Sequence, residues 1–152
     1  MTSNQPSAEA SLFGASTLTD EELVAGIETA TLSADRFRHG DHVRLAWIYL
    51  TRTPAVDAPP ADGRMARAIK RFAEVHGAAA KYHETMTRLW MHLVSAHVRA
   101  TPNASSFAEF VAANDELLDR ALPFRFYSRQ RLLGAEARAN WVDPDRAALP
   151  RA

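Results

Sequence analysis

The sequence predicts an all-α protein. Apolar residues recur at spacings of three and four along several segments, which is the period of an amphipathic helix. Prolines and glycines fall between these segments, where they end helices and form connections. No segment alternates apolar and polar residues in the way that predicts a strand. We therefore expect four main helices in a bundle, with an extension of short helices at the C-terminal end.

The first two helices are predicted at about 20–32 and 41–52. Thr19 and Glu22 have the spacing of a capping box, which marks the start of the first helix. The second helix has an apolar stripe that consists of His42, Leu45, Ala46 and Tyr49. Val43, Trp47 and Leu50 widen this stripe, and so broad an apolar surface indicates a central helix.

The third and fourth helices are predicted on either side of Gly77. The third begins near Pro60, a residue tolerated in a first turn, and ends at His76, with Gly77 as its cap. The fourth is expected over about 79–100. Its stripe has spacings of four and three and consists of His83, Thr87, Trp90, Val94 and His97.

The rest of the chain predicts shorter elements. Ser105 or Ser106 is expected to cap a segment that reaches Leu118 as two short helices broken near Asn114, and Ser128 is expected to cap another helix. A last short helix is predicted over 135–141. The small and polar residues 1–17 indicate a flexible leader, so that 18–152 form a single helical domain.

Composition excludes several classes of function. The formal net charge is zero, which argues against nucleic acid or an anionic membrane as the main partner. The chain has no cysteine, so disulfides, thiolate nucleophiles and Cys-type zinc sites are excluded. No run approaches the roughly 20 apolar residues of a membrane span, and no signal-peptide pattern is visible. The cytoplasm is the expected location.

The histidines are the most suggestive feature for function. Four of the six lie in two short stretches, residues 37–42 and 76–84. Neutral imidazole is a common ligand of transition metals and also moves protons near neutral pH. His39 and His42 are three residues apart, a spacing that puts two side chains on one helical face. His83 shares an apolar stripe, which should point its ring inward.

These positions predict a small metal-dependent enzyme acting on a small molecule. His39, His42 and His83 would hold a divalent zinc, iron or copper ion, with Asp41 orienting an imidazole. A proton would be moved by Glu84 or His76, either of which is also a candidate fourth ligand. The predicted aromatic walls of the cofactor or substrate pocket are Trp47, Tyr49, Tyr82 and Trp90.

Two other functions fit the same residues. One is a non-catalytic helical module that binds a partner or a small ligand, with histidines that only pack or stabilise helix ends. The other is a metal-free acid–base enzyme with a His–Glu pair in an apolar pocket. The sequence has neither an H-E-x-x-H motif nor the E-x-x-H pair of di-iron bundles. The sequence is compatible with a homodimer, and no motif identifies the substrate.

Overall fold

The structure is a computed structural model, which describes residues 12–52 and 60–152. Throughout these ranges the regular elements are helical and no strand occurs, so the all-α prediction is confirmed. The helices are α1 (Asp20–Glu28), α2 (His39–Thr51), α3 (Ala61–Val75), α4 (Glu84–Ala100), α5 (Phe107–Ala113), α6 (Arg129–Leu132) and α7 (Ala135–Ala139). Single 3-10 turns lie at Ala34–Arg36, Ala79–Lys81, Asp115–Leu118 and Leu122–Arg125.

The four longest helices, α1 to α4, form the bundle, and α2 lies at its centre. Helix α2 contacts α1, α3 and α4, and its contact with α4 is the most extensive. Most of its residues are buried, among them Leu45, Trp47 and Tyr49. A helix covered on several sides needs the broad apolar surface that its sequence carries.

The first two helices differ from the prediction by a few residues at their ends. Helix α1 has the predicted capping box, in which Thr19 and Glu22 each accept the other's main-chain N–H. It ends at Glu28 because Ala30 adopts a left-handed conformation with φ 56°, which turns the chain away. Helix α2 begins two residues earlier than expected, since the Asp41 carboxylate accepts the N–H of Arg38.

The largest difference lies at the start of the fourth helix, at Glu84 rather than near residue 79. The preceding residues form the 3-10 turn Ala79–Lys81. His83 is therefore the N-cap and not a member of the helical stripe. Gly77 follows α3 with φ 69°, the left-handed conformation expected of a glycine behind a helix.

The C-terminal extension packs along α4. Its short helices begin as predicted at Ser106 and Ser128, each of which accepts a main-chain N–H with its hydroxyl. Helix α7 contacts α4, and the buried Thr85 hydroxyl joins the two regions. That hydroxyl donates to the Asn140 carbonyl at 2.6 Å and accepts the Val142 N–H at 3.1 Å.

Part of the expected leader contacts the bundle. The Asp41 carboxylate, wholly buried at the start of α2, accepts the N–H groups of Gly14 and Ala15 at 2.8 and 3.2 Å. This contact requires glycine at position 40, because a Cβ there would lie 2.5 Å from the Phe13 ring. Residues 1–11 of the expected leader lie outside the described residues. No helix in the described ranges has the length and apolar character to cross a membrane.

Candidate functional site

A cavity of about 330 Å³ lies where α2 and α3 meet the start of α4. We call it the histidine cavity. Its lining residues are His39, His42, Met65, Ile69, Lys81, Tyr82, His83, Met86, Thr87, Trp90 and Arg120. The volume is at the lower end of the range for small-molecule sites, and the lining combines an apolar wall with a few polar groups.

His39 stands in the first turn of α2 and is fixed by two contacts. Its Nε2 lies 2.9 Å from the carbonyl oxygen of Leu117, and its ring lies edge-on to Trp90 with centroids 4.5 Å apart. Burial lowers the pKa of His39 from its ordinary value, so the neutral ring is favoured. Because a carbonyl oxygen can only accept, Nε2 carries the proton and Nδ1 presents a lone pair.

His42 lies one turn further along α2 and presents the opposite nitrogen. Its Nδ1 donates to the carbonyl oxygen of Arg38 at 2.7 Å, and its ring stacks on Phe37 with centroids 3.7 Å apart. Burial lowers the pKa of His42 to about 4, so the ring is neutral at pH 7. With Nδ1 protonated, Nε2 holds the lone pair, and it has no hydrogen-bond partner among the described residues.

His83 uses both ring nitrogens to hold the main chain. Its Nδ1 accepts the N–H of Met86 at 3.0 Å and thereby caps α4. Its Nε2 donates to the carbonyl oxygen of Leu132, 2.7 Å away at the end of α6. An imidazole with both nitrogens engaged has no lone pair left for a metal ion.

The predicted metal centre is therefore wrong. Within residues 12–52 and 60–152, no three His, Cys, Asp or Glu side chains form a group that could hold a metal ion. His39, His42 and His83 do line one cavity, but each is hydrogen-bonded to a separate carbonyl oxygen. Asp41 likewise accepts main-chain N–H groups instead of orienting an imidazole. The predicted function as a zinc-, iron- or copper-dependent enzyme depended on these ligands and is therefore wrong as well.

Two cations at the histidine cavity have no partner. Lys81 and Arg120 are exposed, and neither side chain makes a hydrogen bond or ion pair with any described residue. The Arg120 charge is close enough to contribute to the lowered pKa values of His39 and His42. None of the described lining residues is acidic. The negative charge of Asp119, which lies outside the lining, opposes that of Arg120 at His39.

The two predicted proton-moving residues lie apart from the lining. Glu84 accepts the Tyr82 hydroxyl at 2.7 Å and lies 3.9 Å from the Lys70 ammonium. His76 is exposed behind α3, where its ring packs on Phe72 with centroids 4.3 Å apart. Neither side chain lines the histidine cavity, although the Glu84 carboxylate is hydrogen-bonded to Tyr82, which does. Their role in moving a proton stays a prediction.

The four predicted aromatic walls are divided among three cavities, and Trp47 lines one of them with Arg44 and Phe107. Tyr82 and Trp90 line the histidine cavity. Tyr49 lines a different one, where its hydroxyl donates to Glu28 at 2.7 Å and the Arg64 guanidinium lies over its ring. Burial and the Glu28 contact raise the pKa of Tyr49.

Sequence reasoning did not single out the cations of the cavity. Lys81 lies beside the histidines in the chain, but its position depends on the 3-10 turn that replaces the start of the predicted helix. Arg120 comes from the distant segment after the turn Asp115–Leu118, which packs against α2. No periodicity or local motif marks such a residue, because tertiary packing alone brings it to the cavity.

No family model, no curated protein and no solved structure gives a significant match to this chain.

Proposed function

We propose that the histidine cavity binds a small organic anion with an apolar, ring-sized body. The observation that carries this proposal is the pair of unpartnered cations, Lys81 and Arg120, beside an apolar lining. Two positive charges without a counterion among the described residues favour a ligand that brings its own negative charge. The small-molecule partner expected from the sequence is thus specified as an organic anion.

The lining supports an apolar body for this ligand. Met65, Ile69 and Met86 provide aliphatic surface, and Tyr82 and Trp90 provide aromatic surface. Flexible methionines accommodate irregular apolar shapes, and aromatic rings pack well against other rings. A molecule that placed its ring here would remove apolar surface from water, which contributes roughly 25 cal/mol per Å².

A carboxylate is the anion that this arrangement fits best. The planar Arg120 guanidinium can donate two parallel hydrogen bonds to a carboxylate, while the Lys81 ammonium adds a point charge. Both cations are exposed, so the anionic end would lie at the mouth of the cavity and the ring within it. The proposal is a binding function. The cytoplasmic location and a homodimer stay predictions.

Calorimetric titration with benzoate, phenylacetate and indole-3-acetate tests this proposal, with the primary amide of each acid as its neutral counterpart. We expect at least one acid to bind, and its amide to bind at least about fivefold more weakly. Arg120→Gln should remove that difference. Arg67→Gln is the matched control, since Arg67 is also exposed but lies on α3 outside the cavity.

The proposal is overturned if none of the three acids binds. It is equally overturned if acid and amide bind alike, or if Arg67→Gln weakens binding as much as Arg120→Gln does. Trp90 provides a second readout because it lines the histidine cavity, so its fluorescence should respond to the bound acid.

A further inference from the structure

The histidine cavity offers two hydrogen-bond acceptors of a defined kind. His39 donates from Nε2 to the Leu117 carbonyl, and His42 donates from Nδ1 to the Arg38 carbonyl. The two rings are therefore opposite tautomers, with lone pairs on His39 Nδ1 and His42 Nε2. Neither lone pair has a hydrogen-bond partner among the described residues.

These two nitrogens are also open to a ligand. The described residues include no buried side-chain nitrogen or oxygen without a hydrogen-bond partner. Because these two nitrogens lack a partner, each must keep contact with solvent-accessible space, and both rings line the histidine cavity. An apolar group placed against them would leave an acceptor without its hydrogen bond, which is unfavourable.

The rings stay acceptors at neutral pH. Burial lowers the pKa of both histidines, to about 4 for His42, and the positive charge of Arg120 acts in the same direction. A protonated ring would donate from both nitrogens and would lose its lone pair. The Arg120 charge thus adds to burial in keeping both imidazoles neutral.

We propose that the ligand carries, besides its anionic group, a neutral hydrogen-bond donor that binds His39 Nδ1 or His42 Nε2. The class this describes is a hydroxylated aromatic acid, in which the carboxylate meets the cations and the ring hydroxyl meets the imidazoles. An ammonium donor is disfavoured by the charges of Lys81 and Arg120. The inference rests on the proposed binding of an organic anion and specifies its second polar group.

The test compares acids that differ only in the ability to donate. The probes are 3- and 4-hydroxybenzoate and the two matching hydroxyphenylacetates, each paired with the acid in which methyl replaces hydroxyl. Methyl resembles hydroxyl in size and cannot donate. We expect at least one hydroxyl acid to bind about tenfold more tightly than its methyl partner, as a site with unpaired acceptors should select.

Two variants assign this preference to the imidazoles. His42→Phe retains a ring that can stack on Phe37 and removes the acceptor, and His39→Phe does the same beside Trp90. At least one of them should bring the hydroxyl-to-methyl ratio to about one or below. His92→Phe is the control, because His92 also bonds a main-chain carbonyl, that of Pro150, but lies outside the cavity.

The outcomes separate this inference from the proposed function. Binding of plain acids that depends on Arg120, with no preference for hydroxyl over methyl, would overturn the inference and leave the proposed function standing. Binding of no acid at all would overturn both. A hydroxyl preference that survives both His39→Phe and His42→Phe would also overturn the inference.

The tautomers provide a test that does not depend on the variants folding. Long-range ¹H–¹⁵N spectra of the wild-type protein at pH 7 should show a protonated Nε2 on His39 and a protonated Nδ1 on His42. The same tautomer on both rings, or two doubly protonated rings, would contradict the proposed pair of acceptors.

Discussion

His83 and Leu132 are joined by a hydrogen bond of 2.7 Å, from the imidazole Nε2 to the carbonyl oxygen. This bond ties the start of α4 to the end of α6, 49 residues further along the chain. Since Nδ1 of the same ring caps α4 through Met86, one side chain stabilises both a helix start and the position of the C-terminal extension. His83 therefore has a structural role.

We predict that His83→Ala lowers the free energy of unfolding by about 2–3 kcal/mol, the sum of a lost N-cap and a lost hydrogen bond. His83→Asn should lose only about 1 kcal/mol, because asparagine caps helices but is too short to reach Leu132. Urea denaturation measures both. His76→Ala is the control and should change little, and an equal loss in all three variants would contradict the role.

The three main-chain hydrogen bonds of Asp41 predict a second large loss of stability on substitution. The buried carboxylate accepts the N–H groups of Gly14, Ala15 and Arg38. Asp41→Asn replaces one acceptor oxygen with a donating NH₂ that faces an N–H, so we expect a loss of about 2 kcal/mol or more. Asp62→Asn, an exposed change in the first turn of α3, should cost at most about 1 kcal/mol. Guanidinium denaturation distinguishes the two, and similar losses would contradict the account.

The hydrogen bonds of the Thr85 hydroxyl are predicted to stabilise the packing of the C-terminal extension. Thr85→Val keeps the shape but leaves the Asn140 carbonyl and the Val142 N–H without their partner, at a cost of about 1–3 kcal/mol. Thr51→Val removes only a bond from an exposed hydroxyl to its own helix and should cost less than about 1 kcal/mol. Thermal unfolding compares them. A Thr85→Val protein as stable as the wild type would show that the hydroxyl does not hold the extension.

The lowered pKa of His42 predicts a stability that decreases toward acidic pH. The ordinary value is 6.5 and the folded value is about 4, so the unfolded chain binds more protons between these limits. The stabilisation is complete above pH 6.5, is lost as the pH falls toward 4, and is on the order of 3 kcal/mol. His39, whose pKa is also lowered, acts in the same direction.

Urea denaturation of wild type and His42→Phe at several pH values between 4.5 and 7.5 checks this dependence. As the pH falls, the unfolding free energy of the wild type should decrease relative to that of His42→Phe, because only the wild type loses the contribution of His42. His92→Phe should follow the wild type. A difference that stays constant over the whole range would contradict the burial argument for His42.

Much of the fold could be predicted because its signals are local. The capping box of Thr19 and Glu22, the caps Ser106 and Ser128, and the glycine behind α3 are each encoded within a few residues. The long apolar stripes identify the four main helices, because burial of one face stabilises each of them.

The site could be predicted only in part. His39, His42 and His83 all line one cavity, but the hydrogen bonds of His39 and His83 are not local. The partners of His39 and His83 lie 78 and 49 residues away along the chain, and only the folded chain brings them together. His83 also continues the spacing of the α4 stripe, so periodicity could not distinguish an inward-facing ring from an N-cap.

Arg120 is a second residue whose place at the cavity could not be predicted from the sequence. It belongs to no stripe, cap or motif, and its charge matters because the turn Asp115–Leu118 packs against α2. Residue types alone suggested a metal site, which the hydrogen bonds of the folded chain exclude, and a site for an organic anion likewise depends on which charges remain unpaired after folding. That property can be determined only once the partners of every cation are known.

The proposed binding of an organic acid in the histidine cavity, between its cations and its apolar wall, can be followed directly in the wild-type protein. The most direct measurement is a ¹H–¹⁵N titration of the wild-type protein with 4-hydroxybenzoate, with the Trp90 indole and the His39 and His42 rings followed as reporters. The account predicts saturable shifts at these three residues, while the Trp141 indole, outside the cavity, stays unchanged. Shifts absent at all three residues up to millimolar acid, or no larger there than at Trp141, would contradict it.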